Sequence, residues 1–189
     1  MIIGTKRLLE LVKDPCIRLV EGLCERELAN PEGEGFDLRV GEVYYLGNQE
    51  AFLGIEKRST PKIHVLASYH ETSETQEVVG IQQGDYRLVK TIEKVNLPNK
   101  DGFSLSAVFT PRTTLQRSGI VLVTSNASPG YYGELTFGLY NASKELFRLE
   151  LGARIATAIF HETTPNIASY RGQWQGGRVS TQGQLESQV

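Results

Sequence analysis

The sequence predicts an all-β protein with one short N-terminal helix, and three observations carry that reading. Apolar runs with a two-residue period recur along the chain. FSLSAVFT at 103–110 sets Phe103, Leu105, Ala107 and Phe109 against Ser104, Ser106 and Thr110, and LTFGL at 135–139 repeats the alternation. Gly, Pro and Asn turns separate such runs with little helical spacing between them, which argues for a sandwich or barrel rather than a parallel βαβ sheet. The chain has 189 residues, about the length of one domain and enough to bury a core without disulfide or metal staples.

Each element has its own justification. Residues 5–13 predict the helix: Thr5 is the expected N-cap, Leu8, Leu9, Leu11 and Val12 form an apolar stripe, and the pattern stops before Pro15. Further strands are expected at 43–46 (VYYL), 62–67 (KIHVLA), 86–92 (YRLVKTI), 119–124 (GIVLVT) and 153–160 (ARIATAIF). Residues 68–84 are polar and read as a loop or hairpin with a mobile tip. Residues 1–170 form one β domain on this reading. The tail 171–189 is rich in Gly, Gln and Ser and lacks periodicity, so it is either a flexible, disordered segment or one ordered by what it covers, the site included.

Composition excludes several classes. A formal net charge of -2 and the absence of a dense Lys/Arg run disfavour a nucleic-acid polymer as partner. Cys16 and Cys24, eight apart, fit neither a C-x-x-C pair nor a disulfide framework and read as thiols of a reducing compartment. Lys6, Arg7 and Lys13 interrupt the N-terminal apolar stretch, so neither a signal peptide nor a membrane span is expected there, and the expected location is cytoplasmic. No zinc-deaminase H-x-E with P-C-x-x-C, no P-loop, no G-x-G-x-x-G after a strand and no G-x-S-x-G elbow occurs. His64, His70 and His161 are scattered, and no protein metal site is expected.

Four segments then stand in a telling order: GFDLRVG at 35–41; TIEKVNLP at 91–98 running on to PRTTLQRSGI at 111–120; SPGYYGELTFGLYN at 128–141; and GARIATAIF at 152–160 followed by YRGQWQGG at 170–177. Together they resemble the dCTP deaminase and dUTPase superfamily, its deaminase branch in particular. The resemblance implies a distorted β-barrel or jelly roll of the dUTPase-like kind, assembled as a homotrimer with nucleotide sites at the subunit interfaces. It implies a deoxypyrimidine nucleoside triphosphate, dUTP or dCTP, as ligand, with Mg2+ on its phosphates. At the matching positions Arg112 and Arg117 either fork onto triphosphate oxygens or form surface or trimer-interface ion pairs, and Thr113 and Thr114 keep the hydroxyls of the family's paired serines. Thr113 and Arg117 are the residues expected to serve catalysis. Arg112, Thr114, Ser128, Tyr131, Tyr170 and Gln175 are those expected to bind substrate. Tyr131 either packs on the deoxyribose or caps the core from its turn. Asp37 and Arg39 read as a hydrogen-bond anchor at a strand end.

The sequence also departs from the pattern. Ser128 stands where dUTP-hydrolysing members carry the acid that orients water, and Gly138 where the deaminases carry their glutamate proton shuttle. Thr157 replaces a usual Gln, and Gln173 and Gly177 stand where the deaminase tail has Lys and Gln. General acid–base groups contribute about 10²–10⁴-fold each, so both losses bear on activity. Glu134 shares the strand face of position 138 but lies four residues, ~13 Å, away at ~3.3 Å per residue. Three expectations follow: an enzyme hydrolysing dUTP to dUMP and pyrophosphate more readily than it deaminates dCTP, a catalytically silent nucleotide-binding or regulatory trimer, or a jelly-roll scaffold with no nucleotide.

Overall fold

The computed structural model describes residues 1–100, 102–164 and 167–188. In chain order its elements begin with α1 (Thr5–Lys13), β1 (Val20–Glu21), α2 (Glu25–Ala29), β2 (Gly35–Leu46), β3 (Phe52–Leu53), β4 (Lys57–Ser59) and β5 (Ile63–Ser68). They continue with β6 (Val78–Ile81), β7 (Tyr86–Asn96), β8 (Asn99–Lys100), β9 (Phe103–Pro111), α3 (Thr113–Arg117) and β10 (Ile120–Val123). The chain closes with β11 (Tyr132–Asn141), β12 (Phe147–Glu150), β13 (Arg154–Glu162) and β14 (Glu186–Ser187). No helix among the described residues is long and apolar enough to cross a membrane.

The strands form a curled antiparallel sheet in the order β10-β11-β7-β2-β13-β9-β8, with β1 added to β7 and β5 to β2. The predicted alternation explains its inner face: Leu105, Ala107 and Phe109 of β9 and Leu135, Phe137 and Leu139 of β11 are all buried. They share the core with Phe36, Leu38, Ile155 and Phe160, and Phe36 meets Phe160 edge-on at 6.2 Å. Leu8 and Leu11 bury the stripe of α1 against the same core, with Leu9 and Val12 at its margin. The helix start differs from expectation. Gly4 is the N-cap, Thr5 is the first helical residue, and no side chain caps the end.

The polar segment 68–84 is also more ordered than its composition suggests. Val78–Ile81 is a strand that pairs with β12, burying Val79 and Ile81 against the core. Two buried apolar residues in a short strand are too weak a local signal against the surrounding Glu, Ser and Thr. The tail is packed rather than free-standing: Glu186–Ser187 pairs with β4, completing a small sheet β14-β4-β3, and Ser180 and Thr181 are buried.

One strand serves both halves of the molecule. Residues 35–39 of β2 pair with β13, whereas 40–46 pair with β7 and β5. The change of partner falls at an irregularity between Val40 and Glu42, where a Cβ on Gly41 would press on Ile92 at 3.1 Å. Beside this corner Arg39 donates through its Nε to Glu93 at 2.7 Å and through its backbone N–H at 2.8 Å, and its Nη2 reaches the Gly22 carbonyl at 2.6 Å. Glu93 is fully buried. Burial pushes its carboxyl above the ordinary value, against the pull of Arg39. The pair therefore costs desolvation, and losing one partner is more damaging than the pair is stabilising. Arg39→Ala is expected to destabilise the fold by about 3–5 kcal/mol, read by urea denaturation, because it strands a buried carboxylate. A loss below about 1 kcal/mol would mean that the corner does not depend on the pair.

Candidate functional site

The turn 128–131 has Pro129 and Gly130 at its centre, the residues a type II turn favours, and Gly130 takes the left-handed φ of +85°. The Tyr131 N–H closes it on the Ser128 carbonyl at 3.0 Å. Two bonds pin the turn to the end of β7: Gly130 N–H to the Leu97 carbonyl, 2.8 Å, and Leu97 N–H to the Tyr131 carbonyl, 2.9 Å. Tyr131 then points inward. It is 8% exposed, its hydroxyl donates to the Glu134 carbonyl at 2.5 Å, and its ring stands edge-on to Tyr170 with centroids 5.3 Å apart.

The tail lies on this turn. Tyr170 N–H donates to the Pro129 carbonyl (2.7 Å) and Gly176 N–H to the Tyr132 carbonyl (2.7 Å). The Gln175 side chain clamps both sides, donating to the Gly130 carbonyl (2.9 Å) and accepting from Tyr132 N–H (3.1 Å). The approach is so close that a Cβ on Gly133, which has φ +133°, would lie 2.5 Å from the Gly177 nitrogen. Farther along, Trp174 is flanked by the guanidinium groups of Arg58 (4.4 Å) and Arg178 (5.5 Å). Both arginines bind Glu186, at 3.0 and 2.7 Å.

Between turn, sheet and tail is a cavity of about 250 Å³ whose walls include Phe109, Phe137, Tyr131, Tyr170 and Trp174, with Ser125, Asn126 and Arg178 as polar lining. Flat aromatic walls with a few polar groups suit a planar heterocycle. Trp174, Asn126 and Arg178 were not among the residues singled out from sequence. The one available signal was that the chain has a single Trp, set in a Gly/Gln-rich tail.

The remaining expected residues lie elsewhere on the chain. Arg112 Nη1 binds Asp37 at 2.8–2.9 Å, beside Arg154 Nη1 and the Thr157 hydroxyl, which reach the same carboxylate at 2.9 and 2.8 Å. Asp37 is the anchor its strand-end position suggests. Thr113 and Thr114 are exposed at the start of α3, and Arg117 is exposed at its end, beside a shallow groove with Ser143 and Glu145. None of the α3 residues lines the cavity. In a single chain the structure thus brings together Tyr131, Tyr170 and Gln175 around the Ser128 turn, and holds Arg112, Thr113, Thr114 and Arg117 apart from them.

The two altered positions have distinct surroundings. Ser128 is half-buried at the turn's first residue. Gly138, on the outer face of β11, lies under the Tyr86 phenol, so that a Cβ at 138 would run into the Tyr86 hydroxyl. This diagonal cross-strand cover fills the space above the glycine. Glu134 faces Lys94 at 3.5 Å and packs on Gly177. Among the described residues no three His, Cys, Asp or Glu groups are placed to hold a metal. Asp37 is already paired with arginine.

An all-antiparallel curled half-barrel with this turn-and-tail cavity is a dUTPase-like β fold. The chain belongs to the dCTP deaminase-like family, whose sequence pattern matches residues 4–163. It is 30% identical over 145 residues to a dCTP deaminase of Pyrococcus abyssi, covering 76% of this chain and 79% of that protein. It is 33% identical over 144 residues to a probable deoxyuridine 5'-triphosphate nucleotidohydrolase of Aeropyrum pernix, covering 75% and 82%. The crystal structure of 2'-deoxycytidine 5'-triphosphate deaminase from Agrobacterium tumefaciens superposes with a TM-score of 0.61 at 15% identity; the match covers 84% of this chain and 46% of that one, and shows the shared fold.

Burial, with Tyr170 close by, pushes the Tyr131 hydroxyl up to about 12. An unfolded tyrosine ionises near 10, so between about pH 10 and 12 the unfolded chain releases this proton while the folded one keeps it, and stability falls as pH rises. Tyr44 and Tyr86 are shifted in the same direction by burial. Tyr131→Phe is therefore expected to reduce the alkaline slope of stability without abolishing it, and to cost about 1 kcal/mol at pH 7 through the lost hydrogen bond. An unchanged slope in urea titrations at pH 9–11.5 would refute the burial argument.

Proposed function

We propose that this protein binds deoxypyrimidine nucleoside triphosphates, with the pyrimidine in the aromatic cavity and the phosphates on Arg112, Thr113, Thr114 and Arg117. The observation that carries the reading is the aromatic cavity beside the Pro129-Gly130-Tyr131 turn, walled by Tyr131, Tyr170 and Trp174, with Gln175 clamping the turn. The separation of this cavity from α3 in one chain supports the homotrimer that the resemblance implies, since a neighbouring subunit can supply the phosphate residues that one chain holds apart. Tyr131 and Tyr170 confine the sugar and base, and Gln175 fixes the turn that carries Tyr131.

Within this reading, hydrolysis of dUTP to dUMP and pyrophosphate is favoured over deamination of dCTP. Deamination requires a proton to be moved at the ring, and Gly138 under Tyr86 offers no acid or base for it. Hydrolysis draws on charge stabilisation at the phosphates, which Arg112 and Arg117 can give and to which Thr113 and Thr114 add hydroxyl donors. Mg2+ carried on the phosphates supplies further neutralisation when bound. The replacement of both family acids, Ser128 and Gly138, favours a second reading in which the trimer binds nucleotide without turning it over.

The test incubates purified protein with Mg2+ and dUTP or dCTP and separates dUTP, dUMP, dCTP and pyrophosphate by ion exchange, with light scattering for the assembly. The expected outcome is dUMP and pyrophosphate, reduced by about 10²-fold or more in Arg117→Ala. Nucleotide-dependent thermal stabilisation without product selects the silent reading. Neither product nor stabilisation refutes both.

A further inference from the structure

The side-chain groups of fixed hydrogen-bonding polarity in the aromatic cavity are donors. No Asp or Glu stands among the described residues that line it, whereas Arg178 and Trp174, whose polar side-chain groups are N–H donors alone, both do. The hydroxyl and amide groups of the lining, those of Ser125, Asn126 and Thr136 among them, either donate or accept. Arg178 is held from behind. Its Nε donates to the Ser180 carbonyl at 3.2 Å and its Nη2 to the Glu186 carboxylate at 2.7 Å, while its guanidinium carbon lies 5.5 Å from the Trp174 ring centroid. Glu186 is fixed in turn by Arg58, which donates to it at 3.0 Å and to the Gln173 side chain at 2.6 Å. Nη1 is the one side-chain nitrogen of Arg178 with no protein partner among the described residues.

Pyrimidines differ most in polarity at ring carbon 4. Uracil carries a carbonyl oxygen there, which accepts, and cytosine an amine, which donates. On the nucleotide reading the sugar lies at Tyr131 and Tyr170, so C4, opposite the glycosidic nitrogen, points away from the turn. Arg178 is tied to the other end of the tail's path, at the β4–β14 pairing, through Glu186 and Arg58. We infer that Arg178 is a specificity-determining residue: its Nη1 donates to the 4-carbonyl of a uracil ring and selects that ring over cytosine. The inference rests on the nucleotide reading and adds to it the residue that chooses the base. A guanidinium cannot accept from an amine, as a side-chain amide or a hydroxyl can, so cytosine sets N–H against N–H. A site built to hydrogen-bond one group rejects an analogue that cannot pair more strongly than an apolar pocket rejects a change of size.

The chain's single tryptophan, Trp174, lines the cavity and reports binding by its fluorescence. The test titrates the full-length wild type, Arg178→Gln and Arg178→Met with the α,β-imido forms of dUTP and dCTP in Mg2+, which keep the ligand from being hydrolysed, each protein first checked by its melting curve. The wild type is expected to bind the uracil ligand about tenfold or more tighter than the cytosine ligand. Arg178→Gln offers an amide that pairs with either ring, and it is expected to bring the ratio close to one by weakening the uracil ligand and tightening the cytosine ligand. Arg178→Met is expected to weaken the uracil ligand alone. A tail merely loosened by these changes would weaken both ligands equally and could tighten neither. A preference that is the same in wild type and both folded variants, or a wild type that favours cytosine, overturns the inference and leaves the nucleotide reading standing. A wild type that binds neither ligand overturns both.

Discussion

The buried pair of Arg39 and Glu93 holds β2 at the point where it leaves one half of the sheet for the other, and much of the molecule is referred to that point. Residues before it place Asp37 among β13 and β9; residues after it pair with β7 and β5. Arg39 also ties in Gly22, the residue after β1, so the N-terminal segment is registered on the same corner. A charged pair whose carboxylate has zero exposure is an expensive way to join strands, and a hydrophobic pair could stabilise the bend as well. What charge adds is direction: Arg39 satisfies Glu93 from both its backbone and its side chain, which only one register allows.

Thr91 extends the same logic to β11. Its hydroxyl donates to the Glu93 carbonyl at 2.7 Å and accepts the Leu135 N–H at 3.0 Å, across the register irregularity between Glu134 and Thr136. The turn that carries Tyr131 precedes that strand, so its position over the core is inherited from the corner. The tail then reads the turn by backbone and by Gln175, and glycines at 133 and 177 let the two chain segments touch. A segment with few apolar residues is thereby ordered by hydrogen bonds and by one tryptophan against two guanidinium groups.

Two features of the site lean away from acid–base chemistry and toward recognition of charge and shape. The carboxylates of Asp37 and Glu27 are committed to arginine, and the outer face of β11 at Gly138 is covered by a phenol. The groups left open are guanidinium edges, threonine hydroxyls and aromatic walls. Such groups recognise charge and flat shape and move protons poorly.

The sequence by itself determined the β class, the buried faces of β9 and β11, the N-terminal helix and its stripe, the glycine turn at 129–130 and the family. All of these rest on local geometry: a strand alternates every two residues and a turn needs particular backbone angles, whatever the rest of the chain does. The aromatic at 131 and the glutamine at 175 stood out through the ordered motifs, but not as neighbours on one turn. Only the tertiary structure decided that Asp37 gathers Arg112 and Arg154 from 75 and 117 residues away, that Glu93 meets Arg39 across 54, that Tyr86 covers Gly138, and that Trp174 walls the cavity. Those contacts depend on strand order and register. Charged and aromatic side chains carry no periodic mark of the partner they will meet once the sheet has curled.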